Sequence, residues 1–257
     1  MDNTVVNIQN VSKTFKIPHE RYSTLKQHAL NLFNKNRTYT ELNALKNVNF
    51  EIKKGEFFGI IGRNGCGKST LLKIIAKIYS TTTGKVTVDG QISPFIELGV
   101  GFNPELTARD NVYLNGALLG LSKKEIDEKF DDIIKFAELE DFVDQRLKNF
   151  SSGMQVRLGF SLAIKAYSDI LLLDEVLAVG DANFQKKCIN VFKELKRQKK
   201  TIIFVSHDET NIRRFCDRVA LLEQGELVMI GTPQEGLKKY NEILAAAQKW
   251  LKAHGEA

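Results

Sequence analysis

Four groups of residues in this chain have the types and spacing for chemistry on phosphate. Gly62, Gly67, Lys68 and Ser69, within "IIGRNGCGKSTLLKII", satisfy the spacing G-x-x-x-x-G-K-[ST]. Glycines let a backbone curl tightly and approach a ligand with no Cβ in the way. Successive N–H groups and the positive end of a helix then converge on one anion. In such a loop Lys68 reaches the β- and γ-phosphates and Ser69 ligates Mg²⁺. Asp174 and Glu175 end the apolar run at 170–173; the first suits Mg²⁺ and the second the orientation or activation of an attacking water. His207 ends "TIIFVSH" and is a candidate γ-phosphate sensor. Ser151, Ser152 and Gly153, in "NFSSGMQVRLGFSLAI", offer hydroxyls and N–H groups at a helix start, a second phosphate surface with no lysine of its own. Singly, each group has a plainer reading: a glycine turn, a surface cap, a structural histidine, a capped helix. Together they point to phosphoryl chemistry.

The elements that must position these groups are also legible. Phe57–Ile61 is a short run of aromatic and β-branched residues, as a buried strand should be, and Leu71, Leu72, Ile74, Ile75 and Ile78 keep a helical period. The glycine-rich insert is therefore a strand-to-helix loop. Residues 170–173 and "TIIFV" read as two further strands, and in nucleotide-binding α/β folds the ligand sits at the carboxyl ends of strands. Val156, Leu158, Phe160 and Leu162 continue a helix behind the S-S-G turn. The 257 residues suffice for one large or two small domains, and 43% hydrophobic with 26% charged is ordinary for a soluble globular protein. No apolar run approaches bilayer-spanning length, and "MDNTVVNIQNVSK" has no signal-peptide pattern, so a cytosolic chain is expected. Cys66, Cys188 and Cys216 are odd in number and scattered, which argues for reduced thiols over a disulfide framework or a zinc site. Cys66 lies at a helix start, where the dipole favours thiolate, although the slot tolerates almost any residue. A net charge of +6 fits nucleic acid, an anionic membrane surface or neither.

The order of phosphate loop, S-S-G turn, D-E strand and histidine strand resembles the nucleotide-binding domain of ABC ATPases, over residues 5–231. The resemblance implies an α/β P-loop NTPase (RecA-like) core with an antiparallel β-subdomain and an ABC-type α-helical subdomain at about 105–165, the domain filling 1–231 and a helical tail 232–257. It also implies a head-to-tail homodimer around two ATP with Mg²⁺. ATP would be held by Arg63, Asn64, Gly65, Cys66, Gly67, Lys68, Ser69 and Thr70 of one copy and by Ser151, Ser152 and Gly153 of the other. Glu175 would be the general base, and His207 and Lys68 would contact the γ-phosphate. Asp181, in "LAVGDA", would lie in the loop linking the two sites, where Val176 and Gly180 replace the usual proline and leucine. Phe15 matches the aromatic that stacks on adenine, a position that can equally be core. The signature "FSSGM" departs from L-S-G-G-Q and keeps only Ser151 and Gly153 in place.

Two segments speak to the branch of the family. Residues 18–45 form a long insert in which Tyr22, Leu25, Ala29, Leu32 and Phe33 share a helical face flanked by Arg21, Lys26, His28 and Lys35. It reads as an amphipathic helix, at about 19–40, beside a membrane or partner, or else packed on its own domain. "FIELGVGFNPELTARDNVYLNG" lies where the family has its Q-loop, with Glu97 in place of glutamine as a metal or water contact and with Gly99 and Gly101 making it pliant. These features resemble the ATPase subunits of exporters for lipid-linked polysaccharides, the O-antigen and teichoic acid group. That implies a separate transmembrane permease, a lipid-linked glycan as cargo, no nucleic acid, and a place at the cytoplasmic face of the cell membrane. An ABC ATPase for another substrate, or a soluble one acting on nucleic acid or the ribosome, is the alternative. Some members carry a C-terminal carbohydrate-recognition domain; "KWLKAHGEA" closes a helical tail instead, as in a short member or a cut chain.

Overall fold

The computed structural model describes residues 3–18, 39–95, 101–166, 169–174 and 181–254. Glu97, Gly99, Glu175, Val176, Gly180 and the insert up to residue 38 lie outside them; Tyr39 and Thr40, the last residues expected in that insert, begin a strand.

Two long strands, β1 (Thr4–Pro18) and β2 (Tyr39–Lys53), pair antiparallel along their length, and β4 (Thr83–Val88) joins the other edge of β1. The main sheet holds β3 (Phe57–Ile61), β5 (Ile92–Phe95), β6 (Ile170–Asp174), β7 (Thr201–Val205), β8 (Arg218–Glu223) and β9 (Glu226–Gly231) in the order β5-β6-β7-β3-β8-β9. All neighbours are parallel except β8 and β9. Parallel strands need crossovers. Helix α5 (Ala182–Arg197) connects β6 to β7, and α6 (Glu209–Phe215) connects β7 to β8.

The central strands are apolar at nearly every position because both sheet faces are covered. Successive side chains go to opposite faces. Phe58, Ile60, Leu172, Ile203, Val205 and Ala220 enter one cluster with α1 (Lys68–Ile75) and the antiparallel sheet. Phe57, Ile61, Leu171, Ile202, Phe204 and Val219 enter another with α5, α6 and Leu237 of the C-terminal helix. In that second layer Phe57 stacks on Phe215 with ring centroids 5.7 Å apart and meets Phe192 and Phe204 edge-on, the geometries that aromatic quadrupoles favour.

A third cluster is helical: α2 (Ala108–Leu118), α3 (Lys123–Ala137) and α4 (Ser152–Lys165) gather Val112, Phe130, Ile133, Leu158 and Leu162. Thr107 and Ser122 open α2 and α3 with reciprocal capping boxes to Asp110 and Glu125. Helix α4 is shared, since Phe160 and Ala163 face the sheet while Leu158 and Leu162 face the helices. The last helix, α7 (Pro233–His254), buries Leu237 against the sheet. Among the described residues no helix is long and apolar enough to cross a membrane.

Helix α1 ends at Ile75, short of the period expected from Ile78. Lys77 takes a left-handed φ of 61°, and the N–H groups of Lys77 and Ile78 fold back to the carbonyls of Ile74 and Lys73. That closure satisfies the last helical carbonyls and throws Ile78 into solvent at 56% exposure.

Candidate functional site

The register of the sheet brings the strand ends together. Ile60, Val205 and Asp174 stand in one row across β3, β7 and β6. Adjacent strands lie about 4.8 Å apart, so the glycine loop, the Ser206–His207 turn and the Asp174 carboxylate leave the sheet side by side. Ser206 is buried and its Oγ accepts the Asp208 N–H at 3.0 Å; His207 is exposed. Asp174 is half-buried at the end of β6. Glu175, next in the chain, lies outside the described residues.

The loop itself is built on glycine at two close approaches. At Gly62, φ is 149° and a Cβ would stand 2.2 Å from the Leu222 carbonyl oxygen. At Gly67, which caps α1 with φ 108°, a Cβ would stand 2.5 Å from the Ala44 oxygen. No side chain fits either place. Arg63, Asn64 and Gly65 are exposed at the crown of the loop, as is Ser69; Thr70 is half-buried. Lys68 is 6% exposed, and its Nζ donates to the carbonyls of Gly62 at 2.8 Å and Arg63 at 2.9 Å. The ammonium is thus held over the loop by its own backbone. Arg63 pairs with Glu223 at 3.7 Å, and the Oε2 of Glu223 is buried with no hydrogen-bond partner among the described atoms.

Cys66 corrects the expectation of a thiolate. It is 5% exposed within the apolar cluster, and burial pushes its thiol up despite Lys68 nearby. The desolvation of a charged sulfur outweighs the helix end. Its N–H is engaged inside the loop, donating to Arg63 at 3.2 Å.

Phe15, Ser69 and Thr70 line one cavity of about 460 Å³, closed by Leu42, Lys73 and Tyr79 among others. Phe15 is half-buried and meets Tyr79 edge-on at 5.5 Å. Tyr79, Leu42 and Ile17 were missed in the sequence; an aromatic just past the loop helix was the available signal for Tyr79, but nothing local relates Leu42 or Ile17 to the loop. Ser151, Ser152 and Gly153 do not line this cavity. Ser151 is the N-cap of α4, its Oγ accepting the Met154 N–H at 3.2 Å, and both serines are exposed. Asp181 caps α5 by accepting from Phe184 and Asn183, and these bonds, the Phe184 N–H first, hold its carboxyl below the usual range. A second cavity of about 430 Å³ opens between α2, α4 and the end of β5, lined by Phe95 and Gly101 of the segment expected to be the Q-loop and by further apolar side chains.

Among the described residues no three His, Cys, Asp or Glu gather as a metal cluster. Mg²⁺ takes one or two protein oxygens alongside waters and substrate phosphates. Ser69 and Asp174 carry oxygens of the type such a site uses.

A parallel sheet with a glycine-rich loop, a lysine and a serine at its carboxyl edge defines a nucleotide-binding protein of the P-loop class. The comparisons narrow this. The family model described as ABC transporter matches residues 45–178. The O-antigen export system ATP-binding protein RfbB of Klebsiella pneumoniae is 42% identical over 94% of this chain and 99% of its own. The teichoic acids export ATP-binding protein TagH of Lactiplantibacillus plantarum is 41% identical over 93% of this chain and 64% of its own. Among solved structures, the dimeric post-hydrolysis state of the ATP-binding cassette MJ0796 bound to ADP and Pi is similar, with TM-score 0.70 and 29% identity over 89% of this chain and 98% of that one. The chain belongs to the ABC transporter family, as an ATP-binding subunit whose ATPase activity is coupled to transport.

Proposed function

We propose that the chain powers export of a lipid-linked polysaccharide, working as a head-to-tail homodimer around two ATP beneath a separate transmembrane permease. The observation that carries this reading is the 42% identity, over nearly the full length of both chains, to a protein named for O-antigen export. The similarity to a teichoic acid export protein supports the same class of cargo.

In this reading the loop N–H groups, Lys68 and Ser69 hold the triphosphate, with Arg63, Asn64, Gly65, Cys66, Gly67 and Thr70 shaping the cradle, and Phe15 stacks on the base. Ser69 and Asp174 would hold Mg²⁺, which would supply charge neutralisation for the transferring phosphoryl group. Glu175 orients the attacking water and takes its proton, His207 contacts the γ-phosphate, and Ser151, Ser152 and Gly153 of the second copy close the site. Glu97 is a further metal or water contact. Phosphoryl transfer is catalysed mainly by positioning and charge stabilisation, so a site completed across a dimer makes hydrolysis depend on closure. The apolar cavity beside the expected Q-loop, rimmed by exposed Leu118, suits a helix of the permease. The complex stands at the cytoplasmic face of the membrane.

The test is co-purification with the membrane protein encoded beside this chain, then ATP hydrolysis with and without a lipid-linked glycan, with Glu175→Gln as control. A complex whose hydrolysis responds to the glycan lipid and vanishes in the control is expected. A chain that hydrolyses ATP but binds no membrane partner would overturn the export reading and leave the ATPase.

A further inference from the structure

We propose that Tyr79 is a positioning residue for the nucleotide base, the second ring of a two-ring platform in which it fixes the orientation of Phe15. The inference rests on the reading that the Phe15 cavity takes the base of ATP.

A lone phenylalanine on a strand rotates about its side-chain bonds, and a base stacking on it must first restrict that freedom. Here the restriction is built in. Tyr79 meets Phe15 edge-on, with centroids 5.5 Å apart and planes at 74°, the arrangement in which ring edge and ring face attract. The ammonium of Lys13 lies 4.9 Å from the Phe15 centroid and 5.8 Å from that of Tyr79, and Lys73 lies 5.6 Å from Tyr79, so cations further bind the pair. Lys13 does not line the cavity and is tied down by donating to the Ser80 carbonyl at 2.8 Å.

The backbone delivers Tyr79 to this place. The left-handed turn at Lys77 ends α1, and the N–H groups of Ile78 and Tyr79 both donate to the Lys73 carbonyl, at 2.9 and 3.2 Å. The phosphate loop at one end of α1 and the tyrosine at its other end are therefore parts of one rigid piece. Tyr79 and Lys73 also line the second, apolar cavity, so the ring is a wall common to both spaces. Removing it leaves Phe15 without its edge contact.

The experiment compares the full chain with Tyr79→Ala and Tyr79→Phe, measuring calorimetric binding of ATP and of inorganic tripolyphosphate, and KM and kcat for hydrolysis. Tripolyphosphate has no base and reports the phosphate loop alone. We expect Tyr79→Ala to weaken ATP binding roughly two- to tenfold, to raise KM with kcat unchanged, and to leave tripolyphosphate binding as it was, while Tyr79→Phe matches the parent. Equal weakening of both ligands would show that Tyr79 only shapes the loop and would overturn the inference, as would unchanged ATP binding in Tyr79→Ala or a loss in Tyr79→Phe. If Tyr79→Ala does not fold, Tyr79→Leu, which keeps apolar bulk without a ring, takes its place with the same expectations. A parent chain that binds no ATP would sink the nucleotide reading itself; a silent Tyr79→Ala in a chain that binds ATP sinks only this one.

Discussion

At the scale of residues, Lys68 and Cys66 are neighbours but one, and their polar atoms meet different surroundings. Lys68, though buried, has two loop carbonyls accepting from its Nζ. The Cys66 sulfur belongs to the apolar cluster, where burial outweighs the pull of Lys68 and of nearby backbone N–H groups toward the anion. Burial also pushes Cys188 up to about 12 and raises Cys216 further. A thiol with a pKa near 12 is ionised only to about one part in ten thousand at pH 8, and thiolate is the reactive form. Treated at pH 8 with a chromogenic disulfide, the folded chain should therefore show no fast-reacting thiol, and three should appear on denaturation. Fast stoichiometric labelling of Cys66 that ATP blocks would contradict this. The site residues differ in legibility for a related reason. Lys68 and Ser69 could be read because their spacing along the chain is itself the site. The fate of Cys66 depends on the apolar cluster that distant strands build around it, which no local pattern reveals.

Elements were legible where one segment decides its own form. β3, β6 and β7 are short, built on apolar runs bounded by polar residues, and each was readable as a buried strand that ends at the chemistry. The end of α1 was not, because Lys77 adopts a conformation usually left to glycine and nothing in its residue type announces it. The pairing of β1 with β2 from Pro18 to Tyr39 depends on register between distant segments and was hidden for the same reason. Helix α4 allows a structural and a functional role to be separated at one position. Ser151 caps it, so Ser151→Ala should lower stability by about 1 kcal/mol. Aspartate caps a helix as well as serine does, so Ser151→Asp should keep the melting temperature of the parent. Aspartate also sets a negative charge at the helix end proposed to meet ATP on the second copy, so turnover should fall at least tenfold while nucleotide binding to a single copy is unchanged. Full turnover in Ser151→Asp would remove the S-S-G turn from the site.

For the whole molecule, the proposed function leaves the site of one copy incomplete. The glycine loop and Phe15 adjoin one cavity, whereas Ser151, at the exposed start of α4, does not line it. A helix N-terminus attracts an anion, and a terminal phosphate presented by another copy is the anion the proposed function supplies. Two chains of net charge +6 repel one another in the absence of a ligand, while two triphosphates at the proposed joint would bring negative charge to the helix ends and lysines there. Association should then require nucleotide, and it should last only while the γ-phosphate is intact. In Glu175→Gln, whose amide can orient water but not accept its proton, light scattering with ATP and Mg²⁺ should give a mass near twice the 29.0 kDa of one chain. ADP in place of ATP, or Ser151→Asp added to Glu175→Gln, should return the single-chain mass. A dimer that forms equally with ADP would mean that the two copies meet through a surface other than the phosphate loop and the S-S-G turn. A single-chain mass at every ATP concentration would mean that closure draws its energy from the membrane partner, because the nucleotide bridge alone would then be too weak to hold two positively charged copies together.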